Sequence, residues 1–272
     1  MPGDVTTPPA PPPSAGDLAD GSAPLEVLRH NLAQVYDRIE RARRASPRAS
    51  AAVTLVAVTK AAPPGCFDLL RALGERDVGE NRVADAASKR EAAPPGLVWH
   101  GIGHLQSNKA KKAVRTFDVF HALDSVRLAE ALDALLTEAG RRWPVYAQVN
   151  AARDPAKGGV APEDAGAFLE ALARFPSLEV VGLMTMAKED DPGERARSCF
   201  RTLREVRDDA LRRGTGRVPP RGLSMGMSDD FEVAVEEGAT VVRVGRAVWA
   251  GVGPDSPATP GARPRTLDRP RT

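Results

Sequence analysis

The chain has 272 residues, 42% of them hydrophobic and 27% charged, enough to bury a large core in one barrel-sized domain or two small ones. A formal net charge of only +2 and an aromatic content of 4% remove the electrostatics and the stacking platforms expected of a nucleic-acid binder. No apolar run approaches the roughly 18 residues of a membrane span, the N-terminus has no basic segment leading into an apolar one, and Cys66 and Cys199 lack metal-type spacing. The expectation is a cytoplasmic protein without a nucleic-acid or membrane partner. The two cysteines suit a reducing compartment, with a single disulfide left open.

In chain order, residues 1–24 carry seven prolines among Gly, Ser and Ala and read as a disordered extension. Residues 25–45 place Leu25, Leu28, Leu32, Val35 and Ile39 at helical spacing. Strands then follow at 53–58, 77–79, 97–102, 119–122, 145–150, 178–184, 221–224 and 240–244. Helices separate them at 66–73, 82–91, 107–114, 125–139, 162–174, 193–213 and 229–236. Residues 253–272 form a second tail, in which Arg263, Arg265, Arg269 and Arg271 outweigh Asp255 and Asp268. A solvated tail is the plainer reading, contact with an anionic surface the other.

Eight strands, each but the last followed by a helix and with one helix in front, require a parallel sheet. Over 25–252 they match a closed (β/α)8 TIM barrel. The alternative is a doubly wound open sheet, which carries a Gly-rich fingerprint after its first strand. The sequence there is KAAPPG, at 60–65.

Barrel chemistry sits at the C-terminal ends of the strands. Lys60 ends the first strand, where desolvation would free its amine for Schiff-base formation; taken alone, the position reads rather as an exposed strand-end lysine. After the seventh strand comes a small-residue loop, SMGMSDD at 224–230. Ser224 and Ser228 offer hydroxyls there, and Gly226 permits close approach to an anion. Ser228 also suits the N-cap of a helix from Asp229. Gly245 directly follows the eighth strand, and phosphate held by the loops after strands seven and eight is a recurrent barrel device. An amine above one strand and a phosphate cradle above two others suit pyridoxal phosphate.

Arg243 lies within the eighth strand. Facing a pyridine nitrogen, its permanent charge would keep that nitrogen unprotonated and the cofactor a weak electron sink; otherwise it pairs with a carboxylate such as Glu80. Asn81 caps the next helix or donates to a ring oxygen. His100 and His104 are four apart, but the glycines between them argue against a helical metal site. Met184 and Met186 read as cavity wall or core.

The stretches AVTK at 57–60, GEN at 79–81, WHGIGHLQSNK at 99–109, KGGV at 157–160, GLMTM at 182–186 and LSMGMSDDFEVAVEEGATVVRVG at 223–245 recur in order. With them the chain resembles the YggS/PROSC family, the pyridoxal phosphate homeostasis proteins, over about residues 25–251. The resemblance implies a fold-type III barrel like that of alanine racemase, without the racemase's second, β domain, and pyridoxal phosphate as cofactor. It implies Lys60 as the Schiff-base lysine, and Ser224, Gly226, Gly245 and Arg246 at the phosphate. Asn81 would lie near the ring and Arg243 near the pyridine nitrogen. Members are regarded as monomeric carriers or regulators of the cofactor, with apo pyridoxal phosphate enzymes as candidate partners. The chain departs from the family pattern at Arg246, where threonine is usual, and at Arg82 and Gly101, where aromatics are usual.

Three rival readings stand beside this one. A racemase would need a second base, but Tyr36 falls in the first helix and Tyr146 at the start of the fifth strand. A cofactor-free aldol-type barrel would use Lys60 directly. A scaffold would act through the tails.

Overall fold

The computed structural model of the chain describes residues 23–217 and 219–253. The expected extension and tail lie outside the described residues, except that residues 23 and 24 already belong to the first helix and residue 253 is the last one described. That helix, α1, spans Ala23–Ala45. The strands are β1 Thr54–Val58, β2 Asp77–Glu80, β3 Val98–Gly101, β4 Val119–Leu123, β5 Trp143–Gln148, β6 Leu178–Met184, β7 Gly222–Ser224 and β8 Val241–Val244. The helices after α1 are α2 Cys66–Ala72, α3 Val83–Ala92, α4 Ala110–Thr116, α5 Val126–Glu138, α6 Ala165–Leu172, α7 Arg197–Arg213, α8 Phe231–Glu236 and α9 Arg246–Trp249.

Each strand pairs in parallel with the next, and β8 returns to β1, closing the barrel in the order β1 to β8. The closing register sets Val56 opposite Arg243 and Ala57 opposite Val244. This is the expected (β/α)8 barrel, and closure removes the open-sheet alternative.

The helices dock by apolar stripes at helical spacing. In α1 the five predicted apolar positions are all buried, and the helix packs on α8 and α9. In α5, Leu128, Leu132 and Leu136 face the sheet, and the Ser125 hydroxyl caps the first turn by accepting from the Leu128 amide at 3.3 Å. Between α7 and α8 the fully buried Glu237 gathers three guanidinium groups, Arg197 at 3.1 Å, Arg204 at 3.1 Å and Arg48 at 3.6 Å. Both cysteines are free and buried, so no disulfide joins them.

Three differences from the sequence reading bear on the site. β5 starts two residues earlier, because Trp143 is buried, stacks on Phe120 with ring centres 5.5 Å apart, and donates its indole N–H to the Phe117 carbonyl at 3.1 Å. Tyr146 is therefore the fourth of six strand residues, not the first. α8 starts at Phe231, with Asp230 rather than Ser228 as its N-cap; the Asp230 carboxylate accepts from the Met227 amide at 2.6 Å. The eighth strand is followed by a helix after all, the single turn of α9.

Candidate functional site

The seam between β1 and β8 opens at the C-terminal mouth into a cavity of about 260 Å³. Its lining includes Val58, Lys60, Gly245, Arg246 and Trp249. Lys60 is exposed, and its ammonium has no hydrogen-bond or ion-pair partner among the described residues. The residue before it is fixed. The Thr59 hydroxyl donates to Glu80 at 2.6 Å, and the Lys89 ammonium donates to both the Thr59 carbonyl at 2.8 Å and Glu80 at 2.5 Å. Glu80 is thus used by Lys89 and Thr59 and does not pair with Arg243. Trp249 donates its indole N–H to the Val58 carbonyl at 2.8 Å, holding α9 against the end of β1.

Gly226 adopts φ +94°, and a Cβ there would lie 2.6 Å from that of Ala234. Only glycine sits comfortably in that backbone conformation. The turn brings Ser228 beside the β8 loop, where its hydroxyl accepts from the Ala247 amide at 3.4 Å. The Ser228 and Asp229 amides donate to no group among the described residues. The Arg246 guanidinium pairs with Asp229 across the two loops. Ser228, read from sequence as an anion-binding hydroxyl or a helix cap, therefore sits beside the start of α9, outside the cavity lining. Asn81 is exposed just past β2, at the same end of the barrel but outside the cavity lining.

Ser224 and Arg243 lie deeper. Ser224 is fully buried, and its hydroxyl meets Arg243 Nη1 at 2.7 Å and His121 Nδ1 at 2.7 Å. Arg243 Nη2 donates to the Thr185 carbonyl at 2.9 Å. No carboxylate pairs with Arg243 among the described residues, and burial pulls its guanidinium down to about 10 against the weaker pull of Asp230. It remains a cation at neutral pH. It stands two residues before Gly245, roughly 7 Å down the same strand.

Neither tyrosine lines the cavity. Tyr146 stacks on His121 with ring centres 4.5 Å apart, its hydroxyl beside Thr240 ahead of β8, and burial raises it to about 12. Tyr36 donates to Glu75 at 2.8 Å on the outer helical layer. His100 and His104 do not share a site. His100 points into the barrel, whereas His104 is exposed and pairs with Asp124 at 3.1 Å. Gly101 leaves space that the Phe117 ring fills, since a Cβ there would lie 2.7 Å from it.

An unpaired amine, open loop amides beside a hydroxyl, and a buried guanidinium without a counter-ion match a ligand carrying a carbonyl, an anionic group and a ring acceptor. Pyridoxal phosphate has all three, so the residues fit it.

Residues 30–252 match the family described as alanine racemase, N-terminal domain. A pyridoxal phosphate homeostasis protein of Aquifex aeolicus is 37% identical over 219 residues, 80% of this chain and 95% of its own length. One from Pseudomonas aeruginosa is 36% identical over 236 residues, 86% of this chain and 100% of its own. The solved structure of PipY from Synechococcus elongatus with PLP bound aligns at TM-score 0.71 and 33% identity, covering 82% of this chain and 100% of that one. An alanine racemase of Clostridium difficile shares the fold at TM-score 0.62 with 14% identity, over 81% of this chain and 56% of the racemase. No helix among the described residues is long and apolar enough to cross a membrane.

Proposed function

The chain belongs to the alanine racemase N-terminal-domain family and, within it, to the pyridoxal phosphate homeostasis proteins, and on that premise we propose that it binds pyridoxal phosphate through Lys60 and holds or hands on the cofactor in the cytoplasm. The observation that carries this reading is the shared lining of one cavity by Lys60, at the end of β1, and Gly245 and Arg246, at the end of β8. When bound, pyridoxal phosphate supplies an aldehyde that an amine captures and a ring that accepts electrons.

The chain's own residues divide the work. Lys60 is the amine. Gly245, Arg246 and Ser228 hold the phosphate, with Gly226 fixing the turn that brings Ser228 there. Arg246 stands where threonine is usual and offers a charge-assisted contact once it leaves Asp229. Arg243 donates to the ring nitrogen, and Ser224, expected from sequence at the phosphate, instead orients Arg243. Asn81 closes the ring's edge. A cation at the ring nitrogen makes the ring a poor electron sink, and neither tyrosine is at hand as a second base, which supports carriage over α-carbon chemistry. Apo enzymes that need the cofactor are the natural recipients.

The test is the absorption spectrum of the purified protein, repeated after borohydride reduction, with the modified peptide located by mass spectrometry. A near-visible band fixed on Lys60, and lost in Lys60→Ala, is expected. A label elsewhere, or no band after incubation with pyridoxal phosphate, overturns the assignment. Exchange of amino-acid α-protons with deuterated water at enzymatic rates would instead make the protein a catalyst.

A further inference from the structure

Beneath the cavity runs a line of polar side chains that the binding residues do not explain. Asp77 Oδ1 lies 2.9 Å from His100 Nε2, His100 Nδ1 lies 2.9 Å from His121 Nε2, and His121 Nδ1 lies 2.7 Å from the Ser224 hydroxyl, which Arg243 meets on its other side at 2.7 Å. The line starts at the first residue of β2, at the barrel's N-terminal end, and crosses β3, β4 and β7 to reach β8 below the mouth. Asp77 is a third exposed, while both histidines are buried.

The proton positions along this line follow from its far end, where a carboxylate only accepts. Asp77 accepts from His100 Nε2–H, so in the neutral ring His100 Nδ1 is bare. It accepts from His121 Nε2–H, which leaves His121 Nδ1 bare in turn. That nitrogen accepts the Ser224 hydrogen, and Arg243, which only donates, meets the Ser224 oxygen from the other side. Every bond points from the mouth towards the far end of the barrel. A proton added to His100 sets two donors face to face, and one added to His121 turns the Ser224 hydrogen away, so either breaks the one-way order.

We propose that Asp77, His100 and His121 form a one-way hydrogen-bond relay that positions Ser224 and Arg243 for the ring of the bound cofactor. The relay keeps the Ser224 oxygen turned to Arg243. With Thr185 it fixes the plane of a guanidinium that has no carboxylate to hold it. The charges acting on His121 are those of His100 and Arg243, and burial holds its imidazole well below the ordinary histidine range, in keeping with a neutral ring. From β5, Tyr146 stacks on His121 without joining the line; Asp230, in the loop before α8, acts on Arg243 from outside it.

This inference rests on pyridoxal phosphate being the ligand, but its first test does not need the ligand. Two-bond nitrogen–proton NMR of the full chain, without cofactor, at pH 8 reads the tautomers. Both His100 and His121 are expected as the Nε2–H form, and an Nδ1–H form at either ring overturns the relay. The second test titrates pyridoxal phosphate into wild type, Asp77→Leu and Asp77→Asn. Removing an acceptor that a buried donor needs should weaken binding about tenfold in Asp77→Leu and move the absorption band, whereas Asp77→Asn, which keeps an acceptor oxygen, stays within about twofold. Equal affinity and an unmoved band in all three overturn the positioning role. A wild-type protein that binds no pyridoxal phosphate overturns the cofactor assignment while leaving the tautomer result standing.

Discussion

Replacing Gly226 by alanine tests the turn on which the β7 side of the site depends. Its φ of +94° is hostile to a side chain, and the new Cβ would sit 2.6 Å from that of Ala234 and 2.9 Å from Phe231 Cα. The backbone term is about 1 kcal/mol. The collision adds the cost of an overpacked core, about 1–3 kcal/mol, so about 3 kcal/mol in all is expected. The turn also carries the bond from the Arg243 amide to the Gly226 carbonyl at 3.0 Å, so cofactor affinity should fall as well. Gly166 supplies the control. It lies in α6, and a Cβ there meets nothing within 4 Å. Gly166→Ala should stabilise by about 0.5–1 kcal/mol through helix propensity. Urea unfolding of both variants gives the comparison. A Gly226→Ala loss under about 1 kcal/mol, or a shift of the same sign as Gly166→Ala, refutes the reasoning.

Three further outcomes are expected. Glu237→Gln strips the charge from the carboxylate that joins Arg48, Arg197 and Arg204, and leaves the partly buried Arg204 and Arg197 without their shared counter-charge. A loss on the order of 3 kcal/mol, or a Tm drop of roughly 6–12 °C for a chain of this size, should appear in calorimetry; a change under about 2 °C would deny the cluster its role. Burial raises both thiols to about 11, so Cys66 and Cys199 should react with an aromatic disulfide at pH 8 about two orders of magnitude more slowly than free cysteine, with full reactivity returning in guanidinium. His121 titrates below its unfolded value, so the unfolded chain takes up that proton first. Stability is therefore whole above about pH 6.5 and declines as pH falls below it, a slope that His121→Gln should flatten.

Much of the barrel was readable because its strands are short β-rich runs between amphipathic helices, and β6 falls on the expected residues. The misses have local causes. Pro144 reads as a strand boundary, yet it sits inside β5 because Trp143 before it is anchored in the core. α9 is a single turn, too short to show periodicity. That Lys60 and Gly245 share one mouth was legible because strand ends announce it, and a closed barrel makes the first and last strands neighbours; Arg246 entered only through the family resemblance. The inward turn of Ser224 was not legible, since a three-residue strand carries no alternation to read. Nor was the histidine line, whose contacts join residues 21 and 103 apart in sequence. Pattern reading sees one strand at a time, and such contacts appear only once the strands surround a common interior.

The β1–β8 closure has a consequence for how the protein comes into being. During synthesis one wall of the seam leaves the ribosome well before the other, with six strands between them, so the binding niche is absent until the eighth strand slots home. Occupancy therefore reports completion, and a captured vitamin would act as a clasp across the join, favouring finished molecules over truncated ones.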